Sequence, residues 1–106
     1  MRRFLVPAYI ISDVSVRDAA AMQIYRARAA ASILQHGGRY LVRGGAIEAL
    51  EGSWTPQAII VVEFPSREQA RAWYRSAEYA AALAVRDEAL SRDLILVDGV
   101  SESDLR

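Results

Sequence analysis

Apolar residues in this chain fall into two kinds of run: short, nearly unbroken stretches, and a longer stretch with helical spacing. Phe4 to Ile11 is a continuous apolar run and predicts a first strand, buried on both faces. Ser12 to Ser15 reads as a polar break. Ser15-Val16-Arg17-Asp18 fits the opening of a helix, with the serine hydroxyl able to accept a free backbone N–H and Asp18 at the positive end of the dipole. Along that helix Met22, Tyr25, Ala29 and Ile33 form one stripe at i, i+3, i+7 and i+11. Gly37-Gly38 predicts its end near Gln35 or His36, because glycine takes the left-handed cap conformation at little cost.

Arg39 to Arg43 and Ala46 to Leu50 read as one long strand interrupted by Gly44-Gly45, paired glycines that mark a bulge or bend. Glu51-Gly52-Ser53 turns the chain and Trp54-Thr55-Pro56 completes a loop. Ala58 to Phe64 is the third strand, apolar on both faces except at Glu63. Pro65 stops it. Ser66-Arg67-Glu68-Gln69 opens a second helix carrying Ala70, Trp73, Tyr74 and Ala77. Ser76 predicts a kink and a continuation through Tyr79, Leu83 and Leu90. Leu94 to Val97 is the last strand.

The predicted order, βαββαβ, is an α+β arrangement in which two helices cover only one face of a four-stranded antiparallel sheet. Three of the strands are nevertheless apolar on both faces, where a solvated face would alternate. A second copy of the chain, related by a two-fold axis, is the simplest cover. Pro7 resists this reading, since proline in a central strand removes a ladder hydrogen bond; the strand either begins at Ala8 or bulges there.

The 106 residues suffice for one domain, expected over residues 1–100, with a polar tail at 101–106. Thirteen cationic and thirteen acidic residues balance, which argues against nucleic acid as a partner, because counterion release needs a cationic surplus. Every cation is arginine, which excludes Schiff-base chemistry on lysine and otherwise fits a codon bias of the source genome. Without cysteine there are no disulfides, thiolate nucleophiles or cysteine-ligated metals, and a single histidine rules out a histidine-rich metal site in one chain. Arg2-Arg3 before the first apolar run gives a faint signal-peptide look, but the run contains Pro7 and lacks a small-residue cleavage site before Asp13. No stretch approaches the ~18 apolar residues of a membrane span. A cytoplasmic protein without membrane contact is expected.

Several residues could carry chemistry. Histidine is the side chain whose unperturbed pKa lies near neutrality, and His36 falls close to Tyr25 on the helical wheel, so the two are candidate acid–base groups; a histidine at a helix C-terminus is also favourable for structural reasons alone. Arg39 and Arg43 share one strand face by parity and could bind a carboxylate or phosphate, or could be solvated or paired with acids. Glu63, if inward, needs a partner, and Arg43 on the neighbouring strand is the natural one, giving either a structural ion pair or a third catalytic candidate. Trp73, Tyr74 and Tyr79 could line a pocket for a flat ligand or simply fill the core. Trp54, in a turn-rich loop, suggests a contact with a partner subunit. No Walker or dinucleotide phosphate loop occurs, the third strand lacks the stacking aromatics of RNA-recognition domains, and no serine has an elbow context.

The stretches His36 to Gly45, Leu50-Glu51-Gly52, Val62 to Ser66, Trp73 to Tyr79 and Asp98-Gly99-Val100, in that order, resemble an uncharacterised bacterial family, domain of unknown function 1330. It lies within the dimeric α/β-barrel superfamily. The resemblance spans about residues 4 to 100. It implies a ferredoxin-like protomer whose sheet closes into a barrel with that of a second copy, and it implies no activity. By analogy with superfamily relatives, the expected site is a cleft between sheet and helices, holding a small organic molecule with cofactor-free acid–base chemistry. Its residues would be Tyr25, His36 and Glu63 as catalytic groups and Arg39, Arg43, Trp73 and Tyr74 as ligand contacts. No metal or cofactor is expected; a haem version would have only His36 as an axial ligand. The alternative is a non-enzymatic ligand-sensing or assembly module.

Overall fold

The computed structural model of the chain describes residues 6–101. Its elements are β1 (Ala8–Val16), α1 (Ala19–Gln35), β2 (Arg39–Arg43), β3 (Ile59–Phe64), α2 (Arg67–Tyr74), α3 (Ala77–Leu83), α4 (Arg86–Ala89) and β4 (Leu90–Asp98). The sheet is antiparallel throughout, in the order β2-β3-β1-β4, with helices on one face. The expected βαββαβ order is therefore the one observed, the second helical stretch being divided into three short helices. Arg2, Arg3, Phe4 and Leu5, and the tail after Ser101, lie outside the described residues.

Several boundaries differ from expectation. The first strand starts at Ala8, so Pro7 sits just before the ladder, where its missing N–H costs nothing and its carbonyl accepts the Gly99 N–H at 2.7 Å. Ser12 to Ser15 is not a break. These residues continue β1, with Ser12 and Val14 on the buried side and Asp13 and Ser15 on the other. The α1 cap is accordingly Asp18, whose Oδ2 accepts the Ala21 N–H at 2.8 Å, rather than Ser15. Ala46 to Leu50 form no strand: after Gly44 the chain makes an exposed excursion and rejoins the sheet at Ile59. The last strand begins at Leu90, four residues earlier than expected, and so includes Arg92.

The α1 stripe forms as its spacing predicts. Met22, Tyr25, Ala29 and Ile33 are buried against Ile10, Val14, Val62 and Phe64 of the sheet. Gly37 ends the helix at φ +81°. At Gly38 a side chain would have no room: its Cβ would stand 2.7 Å from the Phe64 ring and 2.8 Å from Ile33. Ser66 and Ser76 cap α2 and α3 through their hydroxyls. Trp73 packs between Phe64 and Tyr79, with ring centroids 5.4 and 4.1 Å away, and donates its indole N–H to the buried Ser32 hydroxyl at 2.9 Å.

The two faces of the sheet differ in cover. The face toward the helices holds Ala8, Ile10, Ser12, Val14, Val62, Phe64 and Leu90, all buried. The opposite face carries Ile11, Ile59, Val61, Ile95 and Val97, of which Ile95 remains 55% exposed. Among the described residues, no helix is long and apolar enough to cross a membrane.

Candidate functional site

A cavity of about 120 Å³ lies between α1 and the sheet. Ile10, Val14, Met22, Ile33, Ile60 and Val62 give it apolar walls, and Arg26, Arg43 and Gly44 stand at an exposed rim. Its inner polar corner is built by Tyr25 of α1 and Arg92 of β4. Arg92 Nη1 donates to the Tyr25 hydroxyl at 2.5 Å and Nη2 to the Tyr79 hydroxyl at 2.7 Å. The two hydroxyls are 2.5 Å apart and their rings meet edge to face. Ser12 adds a second polar group to the wall, on the inner face of β1 diagonal to Arg92 in the β1–β4 ladder.

Burial, reinforced by the adjacent Tyr25, pushes the Tyr79 phenol well above its ordinary range despite the opposing Arg92 charge, so Tyr79 stays protonated. Burial opposes the charge on Arg92, but the two phenol oxygens outweigh it and hold Arg92 above its usual value. The Tyr40 phenol, near the rim, is also raised by burial. It lies flat beneath the Arg43 guanidinium, 4.3 Å from its centroid.

The sequence candidates divide between the cavity and other surfaces. Tyr25, Arg43 and Trp73 line the cavity. His36 lies at the far end of α1, where its Nε2 meets the Glu78 carboxylate at 2.9 Å; that hydrogen bond holds the Glu78 carboxyl below its usual range. Arg39 and Glu63 pair with each other at 2.8 Å on the outer face of the sheet, where Tyr9 also donates to Glu63 at 3.3 Å. Tyr74 packs edge-on against Trp73 and is half-exposed, outside the cavity.

Two expectations about these residues are corrected by a β-bulge. The β2–β3 register pairs Arg39 with Glu63 and Tyr40 with Val62, then skips Leu41, pairing Val42 with Val61 and Arg43 with Ile60. The extra residue inverts the alternation. Arg39 and Arg43 therefore do not share a face, and the partner of Glu63 is Arg39 rather than Arg43. Arg92, Ser12 and the pairing role of Tyr79 were not anticipated. The available signal was the alternation Leu90, Arg92, Leu94, Leu96, which places a cation on an otherwise apolar strand face.

Among the described residues no cluster of three acidic or histidine side chains could hold a metal ion. The corner instead offers neutral hydroxyls and one guanidinium, groups that donate hydrogen bonds to oxygen.

Fold and cavity together define a ferredoxin-like α+β domain with a pocket between its first helix and its sheet. The chain belongs to the family described as domain of unknown function (DUF1330), which it matches over residues 7–100. Solved structures share the fold at low identity. A protein of unknown function from Rhodopseudomonas palustris is 19% identical with a TM-score of 0.74, covering 90% of this chain and 83% of its own. SnoaB, a cofactor-independent oxygenase from Streptomyces nogalater, is 13% identical with a TM-score of 0.60, covering 86% of this chain and 90% of its own. A putative antibiotic biosynthesis monooxygenase from Nitrosomonas europaea is 12% identical with a TM-score of 0.53, covering 94% and 95%. No curated protein sequence matches the chain.

Proposed function

We propose that two copies of this chain pair through the outer faces of their sheets, and that each holds a small organic molecule in the cavity between α1 and the sheet. The cavity itself carries the reading: apolar walls with one concentrated polar corner are the usual composition of a small-molecule site. Its volume is near that of the ~150 Å³ apolar cavity known to admit benzene, which points to a molecule about one ring in size. Tyr25 is the group placed for acid–base chemistry. A proton leaving its oxygen for the ligand would leave a phenolate held by Arg92 and Tyr79. The outer-face residues Ile11, Ile59, Val61, Ile95 and Val97 support pairing, because a monomer would leave this apolar surface in water. The fold shared with a cofactor-independent oxygenase is consistent with chemistry done by protein side chains.

A native mass spectrum of protein purified gently from its own host tests both parts. The expected result is a dimer carrying a stoichiometric extra mass of a small organic compound. A monomer would remove the pairing. A bare dimer that also fails to bind any member of a library of one-ring organic compounds would remove the ligand and leave an assembly module.

A further inference from the structure

Resting on that cavity reading, we infer that the ligand is a small organic anion with its charge on oxygen, received by the Tyr25 and Ser12 hydroxyls beside Arg92. The first argument is a count of protons. A phenol has one proton to give and two lone pairs to fill. Arg92 donates to both phenols, and one phenol proton lies between them. The other phenol proton has no acceptor among the described residues. If Tyr25 donated to Tyr79, the stranded proton would sit on Tyr79, which is fully buried and not part of the cavity wall. The opposite direction fills both lone pairs of Tyr25 and leaves its O–H facing the cavity it lines.

Ser12 provides a second, independent observation. It is only 5% exposed, lines the cavity, and has no hydrogen-bond partner for its hydroxyl among the described residues. Its oxygen is open to the cavity rather than sealed from it, so it is free to hydrogen-bond a polar ligand atom there.

Charge supplies the third. None of the four ion pairs among the described residues includes Arg92. A cleft on its other side is shared with Arg17, Arg86 and Asp87, and the Asp87 carboxylate there is already taken by Arg86 at 3.3 Å. A half-buried guanidinium with no carboxylate, beside two free hydroxyl donors, is complementary to an oxyanion and poorly matched to a cation or a hydrocarbon.

Benzoate and benzamide are nearly the same shape and differ in charge, so titrating the purified protein with each by calorimetry tests the inference. Benzoate is expected to bind about tenfold or more tightly than benzamide, the increment of one charge-assisted hydrogen bond. Arg92→Met should abolish that preference. Ser12→Ala removes no internal bond, so it should fold normally and weaken benzoate severalfold, as should Tyr25→Phe. Equal binding of the two probes would overturn the anion assignment and leave the cavity reading standing. Wild-type benzoate affinity in both Ser12→Ala and Tyr25→Phe would overturn the hydroxyl assignment. Binding of neither probe would overturn the cavity reading itself, and this inference with it.

Discussion

Two of the side-chain bridges between α1 and α3 stand in contrasting surroundings. At the surface His36 meets Glu78; in the interior Tyr25 meets Tyr79, with Arg92 reaching up from the sheet. The distances are similar, but the surroundings are not. The outer bridge can exchange each bond for water, so breaking it returns two groups to a solvent that accepts them. The inner bridge packs against Trp73, and its fully buried Tyr79 hydroxyl depends on Tyr25 and Arg92 for satisfaction. Position in the packing, rather than the type of contact, decides what each bridge contributes.

That contrast can be broken most severely from inside. Tyr79→Ala removes a fully buried ring stacked on Trp73 and should cost ~3–5 kcal/mol, read as a shift in the urea midpoint. Ser32→Ala changes far less volume but strands the Trp73 indole N–H in the same interior, and about 1–3 kcal/mol should be lost. The outer bridge should respond only to pH. Glu78 titrates below its ordinary range in the folded protein, so its contribution is complete above the usual glutamate pKa and fades as pH falls through the lowered folded value. Glu78→Gln should flatten that acid-side dependence and leave the neutral-pH midpoint close to wild type. If Glu78→Gln cost as much as Ser32→Ala at neutral pH, the distinction between the two bridges would fail.

Much of the architecture was legible in the chain because the determining signals were local. The α1 stripe, the Gly37-Gly38 stop and the serine caps at Ser66 and Ser76 act within one or two turns of helix. Ser12 to Ser15 misled because polar side chains inside a strand look like a loop until the neighbouring strands are in place; here Asp13 accepts the Gln57 N–H at 3.0 Å and Ser12 turns inward. The candidate site was legible only in part, for a related reason. Tyr25, Arg43 and Trp73 could be named from helical spacing and parity. Arg92 was hidden by a strand boundary set four residues late. The assignment of Glu63 to Arg43 rested on an uninterrupted alternation, and a bulge leaves no mark in the run Arg39-Tyr40-Leu41-Val42-Arg43.

That bulge also bears on how such a chain can change over generations. At Leu41 the number of residues and the number of ladder steps differ by one, so Leu41 is the position whose loss leaves every other pairing of β2 intact. Deleting its codon would still leave Arg39 opposite Glu63 and Arg43 at the cavity rim, whereas a deletion almost anywhere else in the sheet would turn buried side chains toward water. A lineage could therefore shorten this strand at one point, and length variation among relatives has a natural place to accumulate.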